Sequence, residues 1–176
     1  QKLTQRYPSA RLMLAPRHLD RLEGIESFLH RQGLMSVRKT KMESATFEVL
    51  PSDAIILLDT LGELQRLYSV ASLVFVGGSL VPIGGHNVLE PAACAKPVLF
   101  GPHMENFEEI SQYLVEREAA CQVADVDQLF EQMARLLENP DQAATMGRKA
   151  REVVLGQQGV VEKNLSLIRE VLGHKR

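Results

Sequence analysis

The chain has 176 residues, a formal net charge of −2 and an apolar fraction that is ordinary for a globular protein. Its length predicts one domain with a sizeable buried core. The near-neutral charge and the lack of a stripe of Lys and Arg exclude the electrostatic footprint of a nucleic-acid-binding domain, and no apolar run in the sequence is long enough to span a bilayer.

Strands and helices are predicted to alternate through the first half of the chain. Short apolar runs predict strands at 11–15, 35–37 and 54–58. Amphipathic patterns predict helices at 19–32 and 62–71, and Gly33 ends the first of them. The polar residues between the second and third strands predict a loop at 39–51.

The alternation continues in the second half. Strands are predicted at 73–77, 97–101 and 119–124. Helices are predicted around Glu90 and at 105–118, 126–138, 141–155 and 160–172. Apolar strands that alternate with helices indicate an α/β fold of the Rossmann-like, doubly wound kind, in which helices cover both faces of a parallel sheet.

Two cysteines, Cys94 and Cys121, lie in apolar segments. They do not form a disulfide framework, so we expect buried thiols with a structural role in a reducing compartment. In the sequence, no set of His, Cys, Asp and Glu residues has the spacing of a metal site. We therefore expect neither a metal ion nor a cofactor.

Residues 77–102, GGSLVPIGGHNVLEPAACAKPVLFGP, are the most informative stretch of the sequence. An apolar strand stops at Gly77 and Gly78, and a second pair, Gly84 and Gly85, precedes a short helical segment. Glycines allow a backbone to approach a phosphate closely, and the start of a helix presents N–H groups to an anion. The pattern therefore predicts half of a nucleotide-binding α/β unit.

Three places in the sequence follow predicted strand ends. They are the triplet Pro16, Arg17, His18, the triplet Leu61, Gly62, Glu63, and the stretch from Gly84 to Glu90. Because ligands of open α/β sheets bind beyond the carboxyl ends of the strands, we expect all three places on one rim. Together they offer an arginine, backbone N–H groups and two carboxylates, which suit the phosphate and ribose of a nucleotide sugar.

Each of these residues has an ordinary structural alternative. Asn87 and Glu90 have the spacing of an N-x-x-E capping box, so their side chains could serve only the helix start. Arg17 could be a solvated surface arginine, and Glu63 could simply favour a helix N-terminus. The glycines could form ordinary turns, and His86 could be a loop histidine, although its place before the helix favours a phosphate contact.

Several pieces of the chain together resemble the bacterial 3-deoxy-D-manno-octulosonic acid (Kdo) transferases. The long string GGSLVPIGGHNVLEPA, followed by PVLFGPH, is specific, and LAPRH at 14–18, LGEL at 61–64 and NFEEI at 106–110 follow the same order. The resemblance covers nearly the whole chain. It implies the C-terminal domain of a two-domain GT-B glycosyltransferase, with 1–176 as a donor-binding domain that lacks its first β–α unit.

The resemblance also implies a function. Its family transfers Kdo from CMP-Kdo to lipid IVA, a lipid A precursor, with inversion and without a metal, in lipopolysaccharide biosynthesis. It implies an acceptor-binding domain with the general base, and a membrane anchor, upstream of this chain at the cytoplasmic face of the bacterial inner membrane. We therefore expect no catalytic residue in this chain, which by itself should be soluble and bind the donor without turnover.

Carried over by motif, the resemblance implies a set of donor-binding residues. The expected CMP contacts are Pro16, Arg17, Leu61, Gly62, Glu63, Asn87, Val88, Leu89 and Glu90. Further donor contacts are expected from Gly84, Gly85, His86 and Asn106, the last of them near the sugar. Two alternatives stay open: another GT-B enzyme that uses a UDP-sugar in envelope polysaccharide synthesis, and a non-catalytic nucleotide-binding module.

Overall fold

Short parallel strands alternate with helices along the chain, as the sequence pattern predicts. The computed structural model describes residues 2–44 and 53–156. The helix predicted at 160–172 and the end of the loop predicted at 39–51 lie outside the described residues. The chain divides into two compact units, Gln1–Leu67 and Tyr68–Arg176.

The first unit contains three short strands. They are β1 (Met13–Leu14), β2 (Ser36–Arg38) and β3 (Ile55–Leu57). Its helices are α1 (Lys2–Arg6), α2 (Leu22–Arg31, which continues a 3₁₀ turn at Leu19–Arg21), α3 (Lys39–Ser44) and the start of α4 (Leu64–Val70). The strands run parallel in the order β1-β3-β2, so the carboxyl ends of β1 and β3 lie side by side.

The core of the first unit forms around β3 and α2. Leu22 and Leu29, on the apolar face of α2, belong to one buried cluster with Ile55 and Leu57 of β3. Apolar residues at helical spacing produce such a face. Gly33, with a φ of 69°, follows α2 in a left-handed conformation that glycine adopts without strain. The strands and the helix predicted for this unit are confirmed.

The segment predicted as a loop at 39–51 begins as a helix. α3 occupies Lys39–Ser44, directly after β2. Its sequence, KTKMES, contains lysine, methionine and glutamate, which favour helices, and neither proline nor glycine. The loop prediction is wrong for these six residues because a polar segment fits a solvent-facing helix as well as a loop.

The second unit contains the other three strands. They are β4 (Val74–Phe75), β5 (Val98–Phe100) and β6 (Ala120–Gln122), parallel and in that order. Its helices are the end of α4, α5 (Leu89–Ala93), α6 (Glu108–Glu116, after a 3₁₀ turn at Glu105–Phe107), α7 (Val126–Glu138) and α8 (Pro140–Gly156). Among the helices that the structure describes, none has the length and apolar character needed to cross a bilayer.

Helices cover both faces of β5, the central strand of the second unit. Side chains alternate across a strand. Val98 and Phe100 therefore lie in one cluster, with Leu114 of α6 and further residues of α5 and α8. Leu99 points the other way and packs with residues of α7 and α8. This double coverage explains the fully apolar β5 and agrees with the doubly wound arrangement predicted from the sequence.

The backbone of α8 packs directly against the backbone of the residues that follow α5. A Cβ atom on Gly147 of α8 would lie 2.7 Å from the carbonyl carbon of Ala95, closer than real Cβ contacts. Ala95 follows α5 with a φ of 55°, a left-handed conformation that is unusual for alanine. The absence of a side chain at Gly147 therefore allows α8 to support the short helix that follows the glycine-rich motif.

Neither Cys94 nor Cys121 is bonded in a disulfide, and both side chains are half-buried. Burial raises the pKa of the Cys121 thiol, which favours its protonated form. Both thiols are therefore less buried than the sequence predicts, although Cys121 packs against the cluster of Leu99, Leu136 and Met146.

Candidate functional site

The glycine loop, defined as residues 77–85, follows β4 and has a backbone that requires glycine. Gly78, Gly84 and Gly85 have φ values of 70°, 92° and 69°, all in the left-handed region. The Gly85 N–H donates to the Gly78 carbonyl at 3.0 Å and closes the loop on itself. The N–H group of Gly85 is thus already hydrogen-bonded within the loop.

The facing segment, defined as residues 101–106, follows β5 and packs against the glycine loop. The His103 N–H donates to the Ser79 carbonyl at 2.9 Å, and the Asn106 N–H donates to the Gly84 carbonyl at 3.1 Å. A Cβ atom on Gly84 would lie 2.8 Å from Asn106 Cγ. Asn106 therefore contacts the glycine loop directly, and both Gly84 and Gly85 are buried.

Asn87 and Glu90 meet at the start of α5. Asn87 Oδ1 accepts the Leu89 N–H at 2.9 Å, and Asn87 Nδ2 donates to Glu90 Oε1 at 3.1 Å. In a capping box, the acidic side chain would instead bond back to the backbone N–H of Asn87. Asn87 thus serves the helix start, whereas Glu90 is exposed and has its carboxylate oriented by Asn87.

The residues beside this pair differ in what they can offer a ligand. Val88 is completely buried in the core, so a ligand could contact only its backbone. Leu89 and His86 are half-buried. The His86 imidazole packs beside Gly78, where a Cβ atom would lie 3.6 Å from Nε2. The packing of His86 against the glycine loop fits the structural alternative of a loop histidine, and a phosphate contact stays a prediction.

Tyr68 in α4 lies near the start of α5. Burial raises the pKa of the Tyr68 phenol to about 12, and the negative charge of Glu90 contributes to the increase. Lys96 Nζ donates to the Ser69 carbonyl at 2.9 Å, which connects α4 with the segment after α5. Sequence reasoning missed Tyr68 as a neighbour of Glu90 because no motif links these two distant positions.

In the first unit, two predicted sets lie at the same end of the sheet. Leu14 of β1 pairs with Leu57 of β3, so Arg17 and the residues from Leu61 follow adjacent parallel strands. Arg17 and Leu61 are exposed, while Pro16 is half-buried. Gly62 has a φ of 81° and turns the chain into α4. This placement agrees with the prediction that both sets follow strand ends.

Two side chains hold the carboxylate of Glu63. Lys39 Nζ lies 3.1 Å from Oε1 and 3.0 Å from Oε2, and Thr60 Oγ1 donates to Oε2. The hydrogen bond from Thr60, followed by that from Lys39, lowers the pKa of Glu63 and keeps it ionised at neutral pH. Sequence reasoning missed Lys39 because it lies in the segment predicted as a loop, and Thr60 because its contact is local.

The predicted site residues thus form two sets, one in each unit. The first set contains Pro16, Arg17, Leu61, Gly62 and Glu63. The second set contains Gly84, Gly85, His86, Asn87, Val88, Leu89, Glu90 and Asn106. A common rim, and the contacts of each residue with a ligand, stay predictions. Within residues 2–44 and 53–156, no three His, Cys, Asp or Glu side chains are grouped to hold a metal ion.

A small cavity of about 170 Å³ lies at the carboxyl ends of β5 and β6, beside the facing segment. Two acidic residues, Glu105 and Glu108, are among its lining residues, and no lining residue is basic, so the cavity is a poor match for a phosphate group. Its other lining residues are Phe100, Pro102, Met104, Ser111, Gln112, Val115 and Gln122. The cavity therefore adds no anion-binding group to the predicted set.

Comparison with known proteins establishes the class. A family model described as glycosyl transferase-like matches residues 85–163. The fold matches a solved structure, the C-terminal CMP-Kdo binding domain of WaaA from Acinetobacter baumannii, with a TM-score of 0.71 and 23% identity. The match covers 88% of this chain and 94% of that structure. The chain is therefore a glycosyltransferase-like α/β domain of the GT-B-like kind, as the sequence predicts.

Curated relatives of the chain include Kdo transferases. The 3-deoxy-D-manno-octulosonic acid transferase of Haemophilus influenzae is 34% identical over 173 residues, which cover 97% of this chain and 39% of that relative. The bifunctional glycosyltransferase/methyltransferase of Fusobacterium nucleatum is 39% identical over 128 residues, 73% of this chain and 20% of that relative. The chain is a homologue of the Kdo transferases, which confirms the resemblance, and it spans well under half the length of these relatives.

Proposed function

We propose that the chain is the donor-binding domain of an inverting glycosyltransferase that moves Kdo from CMP-Kdo to a lipid A precursor. The observation that carries this proposal is the arrangement after β4. There, a glycine loop is fixed against the facing segment and leads into α5, which presents the exposed carboxylate of Glu90. The relatives described as Kdo transferases support the choice of Kdo, and the structural match to a CMP-Kdo binding domain supports the choice of CMP.

In this proposal, Glu90 accepts hydrogen bonds from the hydroxyl groups of the donor ribose. An ionised carboxylate is a strong acceptor for hydroxyl groups, and Asn87 fixes the orientation of this one. Asn87 itself is occupied with the Leu89 N–H. The division of roles supports Glu90 as the ligand group and Asn87 as the residue that holds it.

Arg17 binds a negative group of the donor in this proposal. It is exposed and follows β1, at the sheet end where ligands of α/β folds bind. A guanidinium group binds carboxylate or phosphate through two parallel hydrogen bonds, which the ammonium of lysine does not reproduce. The donor offers both a phosphate and the carboxylate of Kdo as partners for Arg17.

The chemistry of transfer requires groups outside this chain. An inverting transfer needs a general base that removes the proton of the acceptor hydroxyl, and a site that stabilises the departing phosphate. We assign the base, the acceptor site and attachment to the bacterial inner membrane to a preceding domain. No metal ion takes part. The chain alone therefore binds donor nucleotide without transferring sugar.

The test is donor use by the intact enzyme that carries this chain. We expect Kdo transfer from CMP-Kdo and no transfer from UDP-sugars. Arg17→Lys should raise the KM for CMP-Kdo nearly as much as Arg17→Ala. The control is Arg31→Ala, which removes an exposed arginine at the end of α2 and should match wild type. Efficient use of a UDP-sugar would instead favour another envelope glycosyltransferase, and wild-type kinetics in Arg17→Ala would remove Arg17 from the site.

A further inference from the structure

Ser79 is a fully buried polar residue at the beginning of the glycine loop, with none of its surface exposed. Its hydroxyl donates to the Val76 carbonyl at 2.6 Å and accepts the Gly101 N–H at 2.8 Å. These two bonds satisfy the hydroxyl in both of its roles. The side chain of Ser79 thus connects the end of β4 with the residue directly after β5.

The backbone of Ser79 adds a third connection. Its carbonyl accepts the His103 N–H at 2.9 Å. A Cβ atom on Gly101 would lie 2.5 Å from the Ser79 carbonyl carbon and 2.7 Å from the Leu80 nitrogen, so the two backbones approach where only glycine fits. The near end of the glycine loop is therefore fixed at Ser79, against the facing segment.

The far end of the glycine loop is fixed against the same segment. The Asn106 N–H bonds to Gly84, and a Cβ atom on Gly85 would lie 3.1 Å from the His103 carbonyl oxygen. Between the two ends, the side chains of Val81 and Ile83 are exposed at 49% and 65%. Apolar packing of these two side chains therefore does little to hold the loop, and its shape depends on its hydrogen-bonded ends.

We propose that Ser79 is a positioning residue for donor binding: its hydroxyl holds the glycine loop in the shape that places the start of α5, with the exposed carboxylate of Glu90, at the nucleotide. The inference rests on the proposed function for the ligand and on the hydrogen bonds of Ser79 for the mechanism. Ser79 does not touch the donor, because it is fully buried. It acts through the loop that it connects to the facing segment.

Ser79→Ala tests this inference, with Ser111→Ala as a matched control. Ser111 is also buried, at 4% exposure, and its hydroxyl also donates to a carbonyl three residues earlier, that of Glu108, at 2.8 Å. Both variants remove a buried hydroxyl, so both should lower the melting temperature. In this pairing, only Ser79→Ala should loosen the glycine loop.

Two measurements on the 176-residue chain separate positioning from stability. The first is amide hydrogen exchange: Ser79→Ala should speed exchange at Gly85 by about tenfold, as expected for a locally opened segment, while Ser111→Ala should not. The second measurement is titration with CMP at a temperature where the variant is folded. Ser79→Ala should raise the Kd for CMP by roughly tenfold, which is the size of effect expected from the loss of one hydrogen bond.

Hydrogen exchange and CMP affinity together distinguish the outcomes of this test. Faster exchange at Gly101 alone, with Gly85 exchange and CMP affinity as in wild type, would overturn the inference, because the hydroxyl would then be only structural. If Ser79→Ala does not fold, Ser79→Cys replaces it, since a thiol of similar size is a weaker donor and acceptor. If the wild-type chain does not bind CMP, the proposed function fails, while exchange at Gly85 still decides whether Ser79 holds the loop.

Discussion

Removal of the Glu90 carboxylate separates donor binding from helix capping. In Glu90→Ala, the N–H of Leu89 keeps its acceptor, because that acceptor is Asn87 Oδ1. The lost contact is one exposed side-chain hydrogen bond, from Asn87 Nδ2 to Glu90 Oε1 at 3.1 Å. The free energy of unfolding should therefore fall by less than about 0.5 kcal/mol, as for ordinary surface substitutions.

The effect on nucleotide binding should be much larger. Hydrogen bonds to a charged group contribute about 1.5–3 kcal/mol, which corresponds to a roughly 10- to 150-fold increase in Kd for CMP. Asn87→Ala is the complementary variant. It removes the side chain that accepts the Leu89 N–H, so it should lower stability by about 1 kcal/mol.

The assay combines thermal unfolding with calorimetric titration of CMP on wild type, Glu90→Ala and Asn87→Ala. Circular dichroism at the titration temperature verifies that each variant is folded. The opposite outcome is a Glu90→Ala variant that binds CMP like wild type and unfolds at a clearly lower temperature. That result would mean that Glu90 serves the helix start and that the ribose contact is wrong.

Three further predictions concern packing and ionisation. Gly147→Ala should destabilise the chain by about 1–3 kcal/mol through overpacking against the backbone of Ala95. Gly24→Ala is the control: Gly24 lies in α2 with open space around it, so alanine there should stabilise the chain by up to about 1 kcal/mol. Equal effects of the two substitutions in thermal unfolding would contradict this prediction. A hydrogen bond from Arg38 lowers the pKa of Glu26 below 4.5, so this pair stabilises the fold above that pH and loses its effect as pH falls through the lowered pKa. Arg38→Gln should therefore lower the melting temperature at neutral pH, by an amount that shrinks in acid, and a pH-independent difference would contradict this. The Tyr68 phenol has a pKa raised from 10.0 to about 12, so it favours the folded state below pH 10 and loses this contribution as pH rises to 12. Absorbance titration should show one late-titrating tyrosine that Tyr68→Phe removes, and an unchanged titration curve would contradict the assignment.

The sequence predicted most of the fold because its local patterns agree with its packing. The fully apolar run at β5 is buried on both faces, and the amphipathic α2 packs through Leu22 and Leu29. The loop prediction was wrong at α3 because the sequence of a short polar helix has no apolar stripe that would distinguish it from a loop.

The glycine turns and strand ends around the candidate site were predictable, whereas the contacts within it were not. The glycine pairs and the strand ends are visible in the sequence, since left-handed turns need glycine. The partners of Glu63, namely Lys39 and Thr60, and the connection that Ser79 makes to Gly101 depend on which strands become neighbours. Such pairings arise from the tertiary fold and carry no sequence motif of their own.

The proposed function requires that this chain bind the cytidine nucleotide of a Kdo donor. Calorimetric titration of the 176-residue chain with CMP, UMP and AMP, at one pH and one salt concentration, tests it most directly. We expect measurable binding of CMP, weaker binding of UMP and the weakest binding of AMP, with CMP affinity reduced in Glu90→Ala. Equal affinity for CMP and AMP, or no binding of CMP to the folded chain, would contradict the claim.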